Sequence, residues 1–390
     1  MNVSLSYYFD KLTATELYFD KVLVLVTVAL ISFGFLMVAS ASLHLGASLE
    51  KDVFYYPIKQ GIHIILGLVL GGVICLIPID FWEKYGQVLF FIALCLLVVV
   101  LIPQVGVKVN GSMRWLSLFG VRIQVSEVMK LVVVIYMAGF VTRHHDFVKE
   151  SVYGLLRPLL LLSGACGLLL LEPDMGSAVV ILTIAMGVMF LSGARLQQFI
   201  ILIIGVLVAG VLAILYSDYR TARVISFLHP WDDPFGKSFQ LVQALISFGR
   251  GEWFGVGLGS GIQKLFYLPE AHTDFLFSVI AEEIGLMGVL SVIVLFALIV
   301  WRAFVIGLMA EQLGQRFAAF TAYGLGIWFA FQSFVNMGVN MGVLPTKGLT
   351  LPFMSYGGGS MIVMCAAMAI LYRVHSEMVA LQLQQENKHD

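Results

Sequence analysis

The sequence predicts an all-α, polytopic membrane protein with about ten transmembrane helices. Of its 390 residues, 60% are apolar and only 12% are charged, whereas about 25% of the residues in soluble domains are charged. The first long apolar run, residues 22–42, contains no charged side chain, and a helix needs about 20 mostly apolar residues to cross the hydrocarbon core. Because the bilayer core holds no water for the backbone to bond, such runs must be helices rather than open strands.

Nine further apolar runs follow the first, at residues 61–79, 85–103, 125–141, 155–171, 175–193, 196–217, 275–300, 317–344 and 353–372. The chain then divides into a cytoplasmic tail (1–21), a ten-span membrane domain (22–372) and a second cytoplasmic tail (373–390). The first tail has neither a basic start nor a small-residue cleavage site, so we expect no cleaved signal peptide. The net charge of −1 argues against nucleic acid as a partner.

The distribution of Lys and Arg predicts that both termini lie inside the cell. In this orientation 11 of these residues lie inside and 12 outside, but nine of the outer ones fall in two segments, 104–130 and 218–274. The positive-inside rule applies weakly to long loops. Without those two segments three basic residues remain outside against eleven inside, which supports the assignment.

Residues 218–274 form the one long connection, placed outside between spans seven and eight. Loops longer than about 12–15 residues are usually functional or disordered. Within 238–248, apolar residues recur at helical spacing, which predicts an amphipathic helix in the membrane interface. The glycines from Gly249 to Gly261 could present backbone N–H groups to an anion; the alternative is a plain connector along the membrane.

Asp274 ends this loop at the point where the chain re-enters the membrane. A carboxylate there could act as a general base. The alternative is a helix N-cap, because Thr or Asp before an apolar helix satisfies free N–H groups and favours the helix dipole. A cap by Thr273 would leave Asp274 free for chemistry.

Glu127 and Lys130 stand three residues apart, so on a helix they share one face. They could form a structural ion pair. In the alternative, Lys130 contacts a phosphate while Glu127 positions it, with Arg114 and Arg122 of the preceding loop in support.

Four further acidic residues are interpreted as supporting groups. Glu172 and Asp174 flank a proline between spans five and six, where Asp174 could cap the next helix. Glu282 and Glu283 lie inside span eight, so at least one of them must face the bundle interior rather than lipid. In span nine, a polar residue recurs every fourth position, at Gln332, Asn336 and Asn340, which predicts hydrogen bonds between helices along one face.

Five segments, read together, resemble the SEDS family (shape, elongation, division and sporulation) across nearly the whole chain, and the division branch more than the elongation branch. They occur in family order at residues 111–115 (GSMRW), 124–127 (QVSE), 172–177 (EPDMGS), 268–275 (LPEAHTDF) and 344–360 (LPTKGLTLPFMSYGGGS).

This resemblance implies a peptidoglycan glycosyltransferase that polymerises lipid II, a precursor linked to undecaprenyl pyrophosphate, at the outer face of the bacterial cytoplasmic membrane. It implies that Asp274 is catalytic. It also implies that the enzyme acts at the division septum with a class B penicillin-binding transpeptidase and other division proteins.

Charge that develops on the leaving pyrophosphate calls for cationic stabilisation. The residues expected to bind substrate or pyrophosphate are Lys130, Glu127, Arg114, Arg223, His272, Lys347 and Ser355. The sequence requires no cofactor, although a divalent cation, Mg²⁺ or Mn²⁺, could bridge the phosphates. Two alternatives to an enzyme are a lipid II flippase, which would need polar sites near the bilayer midplane, and a non-catalytic scaffold that recruits the transpeptidase.

Overall fold

The computed structural model of the chain describes residues 17–109, 112–118, 121–216, 218–236, 238–346 and 348–388. Its helices, in chain order, are α1 (Lys21–Leu45), α2 (Tyr55–Leu76), α3 (Ile79–Val100), α4 (Val125–Arg143), α5 (His145–Glu150), α6 (Val152–Leu171), α7 (Met175–Leu191), α8 (Leu196–Leu215), α9 (Asp218–Leu228), α10 (Phe239–Gly251), α11 (Leu276–Gln312), α12 (Arg316–Asn340) and α13 (Gly358–Glu386). The predicted helical fold is confirmed.

Eight of the described helices are long and apolar enough to cross a membrane, namely α1, α2, α3, α4, α6, α11, α12 and α13. The apolar helix α7 has 17 residues and is shorter than that requirement, and the same holds for the apolar part of α8, Leu196–Leu212. The chain is therefore a multi-pass membrane protein, and the count of ten spans stays a prediction.

Helix α4 lies at the centre of the bundle, packed against α3, α7 and α12. Met129, Val133 and Met137, spaced four apart, are fully buried, and the opposite face is buried as well. A helix that is apolar all round can be enclosed in this way. By contrast α2 exposes Ile65, Val69 and other large apolar side chains, as expected of a helix that faces lipid.

A small antiparallel sheet, absent from the sequence-based prediction, precedes α4. Its strands β1 (Val107–Val109), β2 (Ser112–Leu118) and β3 (Val121–Gln124) pair in that order, and β3 leads directly into α4. The sheet contacts the start of α13 at Gly359, where a Cβ would lie 2.9 Å from the Ile123 Cα. Glycine is therefore needed there for the close approach of the two backbones.

The large loop contains the predicted helix as α10, whose Leu241 and Val242 are buried and which packs against α11. The glycine loop (residues 249–264), which begins in the last turn of α10, lies against a break in α11 at Gly285, where φ is 74°. A Cβ at Gly255 would lie 2.2 Å from the Glu283 carbonyl oxygen. The loop therefore packs directly on the backbone of α11.

The N–H groups of the glycine loop do bind anions, as the sequence suggested, but these anions are carboxylates of the chain itself. Glu282 accepts hydrogen bonds from the N–H groups of Ile262 at 3.0 Å and Gln263 at 3.2 Å, and Glu283 accepts one from Gly259 at 3.0 Å. Glu282 and Glu283 thus hold the loop onto α11, which is a supporting role.

Helix α13 differs in both boundaries from the predicted span at 353–372. It begins five residues later: Phe353 has a positive φ of 62° and does not fit a right-handed helix, and Gly357 at the N-cap is extended, with φ 177° and ψ 98°. It continues to Glu386, well into the predicted C-terminal tail, and Arg373 within it is buried and paired with Glu377 at 2.7 Å.

Candidate functional site

Asp274 lies at the end of the large loop, immediately before α11, and its side chain is partly exposed. The residue at the N-cap position is Phe275, and no side chain caps the helix. Thr273 instead donates its hydroxyl to the carboxylate of Glu270 at 2.7 Å. Neither Thr273 nor Asp274 therefore serves as the cap that the sequence offered as an alternative.

The polar stripe of α12 fixes the backbone of Asp274. The side-chain amides of Asn336 and Asn340 donate to the Asp274 carbonyl oxygen at 2.9 and 3.0 Å. The Asn340 side-chain oxygen accepts from both the N–H and the hydroxyl of Ser278, at 3.0 and 2.7 Å. The stripe thus makes the predicted hydrogen bonds between helices and also positions Asp274.

The loop between α12 and α13 approaches one side of the Asp274 carboxylate. Asn336 donates to the Leu349 carbonyl oxygen at 2.6 Å, and Gln332 donates to that of Thr350 at 3.1 Å. A Cβ on Gly348 would lie 2.8 Å from the Oδ2 atom of Asp274. Glycine at this position lets the loop backbone approach the carboxylate closely.

The electrostatic surroundings of Asp274 suit a general base at neutral pH. Burial, with the negative charges of Glu270 and Asp174, raises the pKa of Asp274 to about 7, against the opposing effect of the Arg114 charge. Its carboxylate accepts no hydrogen bond from any described residue, so the usual cause of a low carboxylate pKa is missing. A base whose pKa lies near the working pH combines a useful ionised fraction with a useful basicity.

Arg114, on β2, connects the sheet to the turn between α6 and α7. Its guanidinium donates to the carbonyl oxygens of Glu172 at 2.9 Å and Pro173 at 2.8 Å. The same charge lowers the pKa of Asp274 and of Glu172. The predicted site residues Arg114, Glu172, Asp174 and Asp274 therefore share one end of the bundle.

Asp174 is confirmed as the cap of α7. Its Oδ1 accepts from the Ser177 N–H at 3.1 Å, and its Oδ2 accepts from the hydroxyls of Ser177 and Ser126 at 2.8 and 2.9 Å and from Gln124 at 3.1 Å. A carboxylate with this many donors is held in a single orientation, and it joins the starts of α4 and α7.

Glu172 has the opposite environment. Its side chain is buried, and neither carboxyl oxygen has a hydrogen-bond partner within the described part of the chain. Burial, with the nearby Asp174 charge, raises the pKa of Glu172 to about 8 against the effect of Arg114. At neutral pH this carboxyl is therefore mostly protonated and uncharged.

Lys130 and Glu127 form the ion pair that was one of the two alternatives. The Lys130 ammonium lies 2.6 Å from Glu127 Oε1 and 2.8 Å from the Gln332 side-chain oxygen, and its side chain is 0% exposed. It also lies 5.7 Å from the centre of the Trp328 ring. Lys130 reaches no open surface in this conformation, so its contact with phosphate, and the contribution of Glu127, stay predictions.

The remaining predicted substrate contacts are placed differently. His272 is partly exposed two residues before Asp274, whereas Ser355 is buried and its hydroxyl accepts from the Leu351 N–H at 2.9 Å, which is a structural contact. Arg223 lies in α9, but its side chain is outside the described residues, as is the whole of Lys347.

No group of three or more His, Cys, Asp or Glu side chains in the described ranges is arranged to hold a metal ion. Mg²⁺ is commonly held by one or two carboxylates together with substrate phosphates. A divalent cation here would take most of its ligands from the substrate, and its presence stays a prediction.

Some contributors to the site were not found by sequence reasoning. Gly348 and Leu349 contribute through their backbone, which carries no side-chain signal. The ring centre of His272 lies 5.1 Å from that of Tyr56 and 5.3 Å from that of Tyr356. Tyr356 lies in one of the five family-like segments, but the sequence assigned it no role, and Tyr56 lies far from both in the sequence.

The chain is similar to known proteins over nearly its full length. A family model described as FtsW/RodA/SpoVE cell cycle protein matches residues 20–379. A protein of Methylomonas methanica named "Probable peptidoglycan glycosyltransferase FtsW" is 62% identical over 94% of this chain and 95% of its own, and one of the same name from Methylococcus capsulatus is 58% identical over 94% and 92%.

Two solved structures share the fold. One is a chain from a study of polymerization and crosslinking by a peptidoglycan synthase complex, with 30% identity, a TM-score of 0.75 and coverage of 93% of this chain and 99% of that one. The other is the rod shape determining protein RodA of Thermus thermophilus, with 26% identity, a TM-score of 0.68 and coverage of 92% and 96%. On this evidence the chain belongs to the FtsW/RodA/SpoVE family of cell cycle proteins.

Proposed function

We propose that this membrane protein is a peptidoglycan glycosyltransferase that polymerises lipid II into glycan strands during septal wall synthesis. Relatives that match over nine-tenths of the chain bear that enzyme name. The observation in the molecule that carries the proposal is Asp274, a partly exposed carboxylate with a pKa near 7 and no hydrogen bond from a described residue. A flippase or a scaffold needs no such group.

In the proposed reaction, the Asp274 carboxylate takes the proton from the acceptor sugar hydroxyl while the hydroxyl oxygen attacks the anomeric carbon of the lipid-linked chain. The bond from that carbon to the pyrophosphate oxygen breaks, and undecaprenyl pyrophosphate leaves with the electron pair. One displacement inverts the anomeric centre, so an α-linked precursor gives a β-linked product. The positive charge of Arg114 lowers the pKa of Asp274. Arg114 is therefore our candidate for stabilising the negative charge on the leaving pyrophosphate.

The flippase alternative receives less support from the groups inside α11. Glu282 pairs with Arg250 at 2.9 Å, and Glu283 bonds to Lys264 and to the Ser40 hydroxyl. These carboxylates are neutralised by the protein and lie near the N-terminal end of α11, so they do not form the polar midplane site that a flippase would need. The scaffold alternative requires that Asp274 be dispensable.

We further propose that the enzyme lies in the bacterial cytoplasmic membrane with both termini inside the cell. This orientation places Asp274, the sheet and the glycine loop on the outer side, where lipid II is consumed. A class B penicillin-binding transpeptidase is the proposed partner, supported by the likeness to a chain of a peptidoglycan synthase complex.

The experiment is polymerisation of labelled lipid II by purified protein with its cognate transpeptidase, comparing the native sequence with Asp274→Asn. The substitution removes the charge at nearly constant volume, and loss of a general base costs about 10²–10⁴-fold in rate. Long glycan strands from the native protein and none from a folded Asp274→Asn variant would support the proposal. Equal activity would remove Asp274 as the base, and no product from either would favour the flippase or scaffold. Repeating the assay with a chelator tests for the divalent cation.

A further inference from the structure

Three aromatic side chains from separate parts of the chain meet beside Asp274. Tyr56 lies in the first turn of α2, His272 in the end of the large loop, and Tyr356 in the loop before α13. The ring centres of Tyr56 and His272 are 5.1 Å apart, those of Tyr56 and Tyr356 5.4 Å, and those of His272 and Tyr356 5.3 Å. Each ring therefore contacts the other two.

The position of this cluster is fixed by the same elements that hold Asp274. The Tyr356 N–H donates to the His272 carbonyl oxygen at 2.9 Å. The loop that carries Tyr356 also carries Gly348, which lies against the Asp274 carboxylate. His272 precedes Asp274 by two residues, and two residues span at most about 7 Å. The backbone of His272 thus lies within about 7 Å of that of Asp274, a separation on the order of the length of one sugar unit.

The cluster is not part of the buried core. All three side chains are partly exposed, whereas a packing role alone would favour full burial. Neither tyrosine hydroxyl has a hydrogen-bond partner among the residues that the structure describes, so both hydroxyls are available to a ligand. Burial raises the pKa of Tyr356 to about 12 against the effect of the Arg122 charge, so this hydroxyl keeps its proton and can donate.

These features match the chemistry of a pyranose ring. Aromatic faces carry partial negative charge, and the axial C–H groups on the face of a β-linked hexose carry partial positive charge. The hydroxyl and acetamido groups at the edge of the sugar need donors and acceptors, which the phenols and the imidazole supply. A few polar groups set among aromatic side chains is the usual composition of a small-molecule site.

We propose that Tyr56, His272 and Tyr356 form a sugar-binding subsite that holds the pyranose ring next to the reacting one. The inference rests on the proposed glycosyltransferase function and adds a place for the glycan strand. Interface tyrosines can also serve as membrane anchors, but an anchor would not require contact among three rings from three segments beside a catalytic candidate.

The first test compares Tyr56→Leu and Tyr356→Leu with Tyr56→Phe and Tyr356→Phe in lipid II polymerisation by the complex with the transpeptidase. The leucine variants remove the aromatic face, and we expect the KM for lipid II to rise about tenfold, kcat to change less than about threefold, and the strands to shorten. The phenylalanine variants keep the aromatic face but lose the hydroxyl, so their KM should rise, but less than that of the leucine variants. Tyr153→Leu, at an exposed tyrosine at the opposite end of the bundle, is the matched control. Native KM and strand length in both leucine variants would overturn the proposal.

The second test needs neither turnover nor folded variants. Binding of a soluble β-1,4-linked oligosaccharide of N-acetylhexosamines to the native complex is followed by saturation-transfer NMR, with tyrosine and histidine ring protons irradiated. Transfer to the sugar ring protons supports the subsite, and no transfer at millimolar oligosaccharide overturns it. If native protein binds the oligosaccharide but forms no strands from lipid II, the proposed function fails and the sugar subsite survives.

Discussion

Two carboxylate sites lie at the N-terminal end of α11, and they are built in opposite ways. Glu282 and Glu283, under the glycine loop, are buried, and their oxygens accept from Arg250, Lys264, the Ser40 hydroxyl and backbone N–H groups. Asp274, just before the helix, is partly exposed, and its oxygens accept from no described residue. Only its backbone is fixed, by Asn336 and Asn340.

This difference separates a structural carboxylate from a reactive one. Hydrogen-bond donors and positive charges keep a carboxylate ionised and fixed in place. Removing one partner of such a buried pair destabilises the folded state. A carboxylate that has lost water without gaining donors has a raised pKa and retains its affinity for a proton. The first arrangement predicts effects on folding, and the second predicts effects on catalysis.

The largest effect on stability is expected from Glu283→Ala. The Glu283 side chain is 0% exposed and that of its partner Lys264 only 7%, so truncation leaves a buried, unpaired ammonium, which costs about 3 kcal/mol or more. Denaturant unfolding in detergent should show this loss, with a smaller one for Glu283→Gln. Asp274→Asn should leave the midpoint nearly unchanged. Equal destabilisation by Glu283→Ala and Asp274→Asn would erase the distinction between the two sites.

The pH dependence of polymerisation should report Asp274. Its pKa is about 7 and the base is active only when ionised, so kcat should fall about tenfold per pH unit below 7 and level off above it. Glu270→Gln removes a charge that raises this pKa, and the midpoint should move to lower pH. The exposed Glu386 supplies the control, because Glu386→Gln lies far along α13 and should leave the profile unshifted. An unchanged midpoint in Glu270→Gln would show that Asp274 does not set the profile.

A smaller effect on rate is expected from Gly348→Ala. The added methyl group would lie 2.8 Å from Asp274 Oδ2 and should displace the carboxylate by part of an ångström, lowering kcat roughly tenfold, since misplacement by about 1 Å can cost 10²-fold. Gly164→Ala in α6 is the control, because a Cβ there meets nothing within 4 Å. The measurement is the steady-state kcat of polymerisation for both variants. A native kcat in Gly348→Ala would mean that the loop does not constrain the Asp274 carboxylate.

The smallest effect on the polymerisation rate is expected from Glu172→Gln, which replaces a mostly protonated carboxyl by an amide of similar volume; its effect on stability should depend on pH. The native pKa of about 8 lies above the ordinary 4.5, so the folded state binds this proton more tightly than the unfolded state. Its contribution to stability is present at low pH and is lost as pH rises towards 8. The Tm of the variant relative to native should therefore increase between pH 5 and pH 8. A difference that is constant with pH would contradict a raised Glu172 pKa.

Sequence reasoning was most effective where the signal is local. Apolar runs of about 20 residues locate helices because each backbone group in a bilayer must bond within its own helix. Asp174 was identifiable as a cap because capping involves only the next three residues. The four-residue spacing of Gln332, Asn336 and Asn340 predicted a shared polar face for the same reason.

The sequence by itself thus determined the helical membrane fold, the large loop and the position of Asp274 at its end. Only the tertiary structure decided which carboxylates are satisfied, since Lys264 and Ser40 reach Glu283 from other segments and Lys130 turns inward to Gln332. It also decided the break at Gly285, the small sheet, and the meeting of Tyr56, His272 and Tyr356. The physical reason is that burial and charge pairing depend on neighbours in space, and pKa values and binding surfaces follow from those neighbours rather than from sequence spacing.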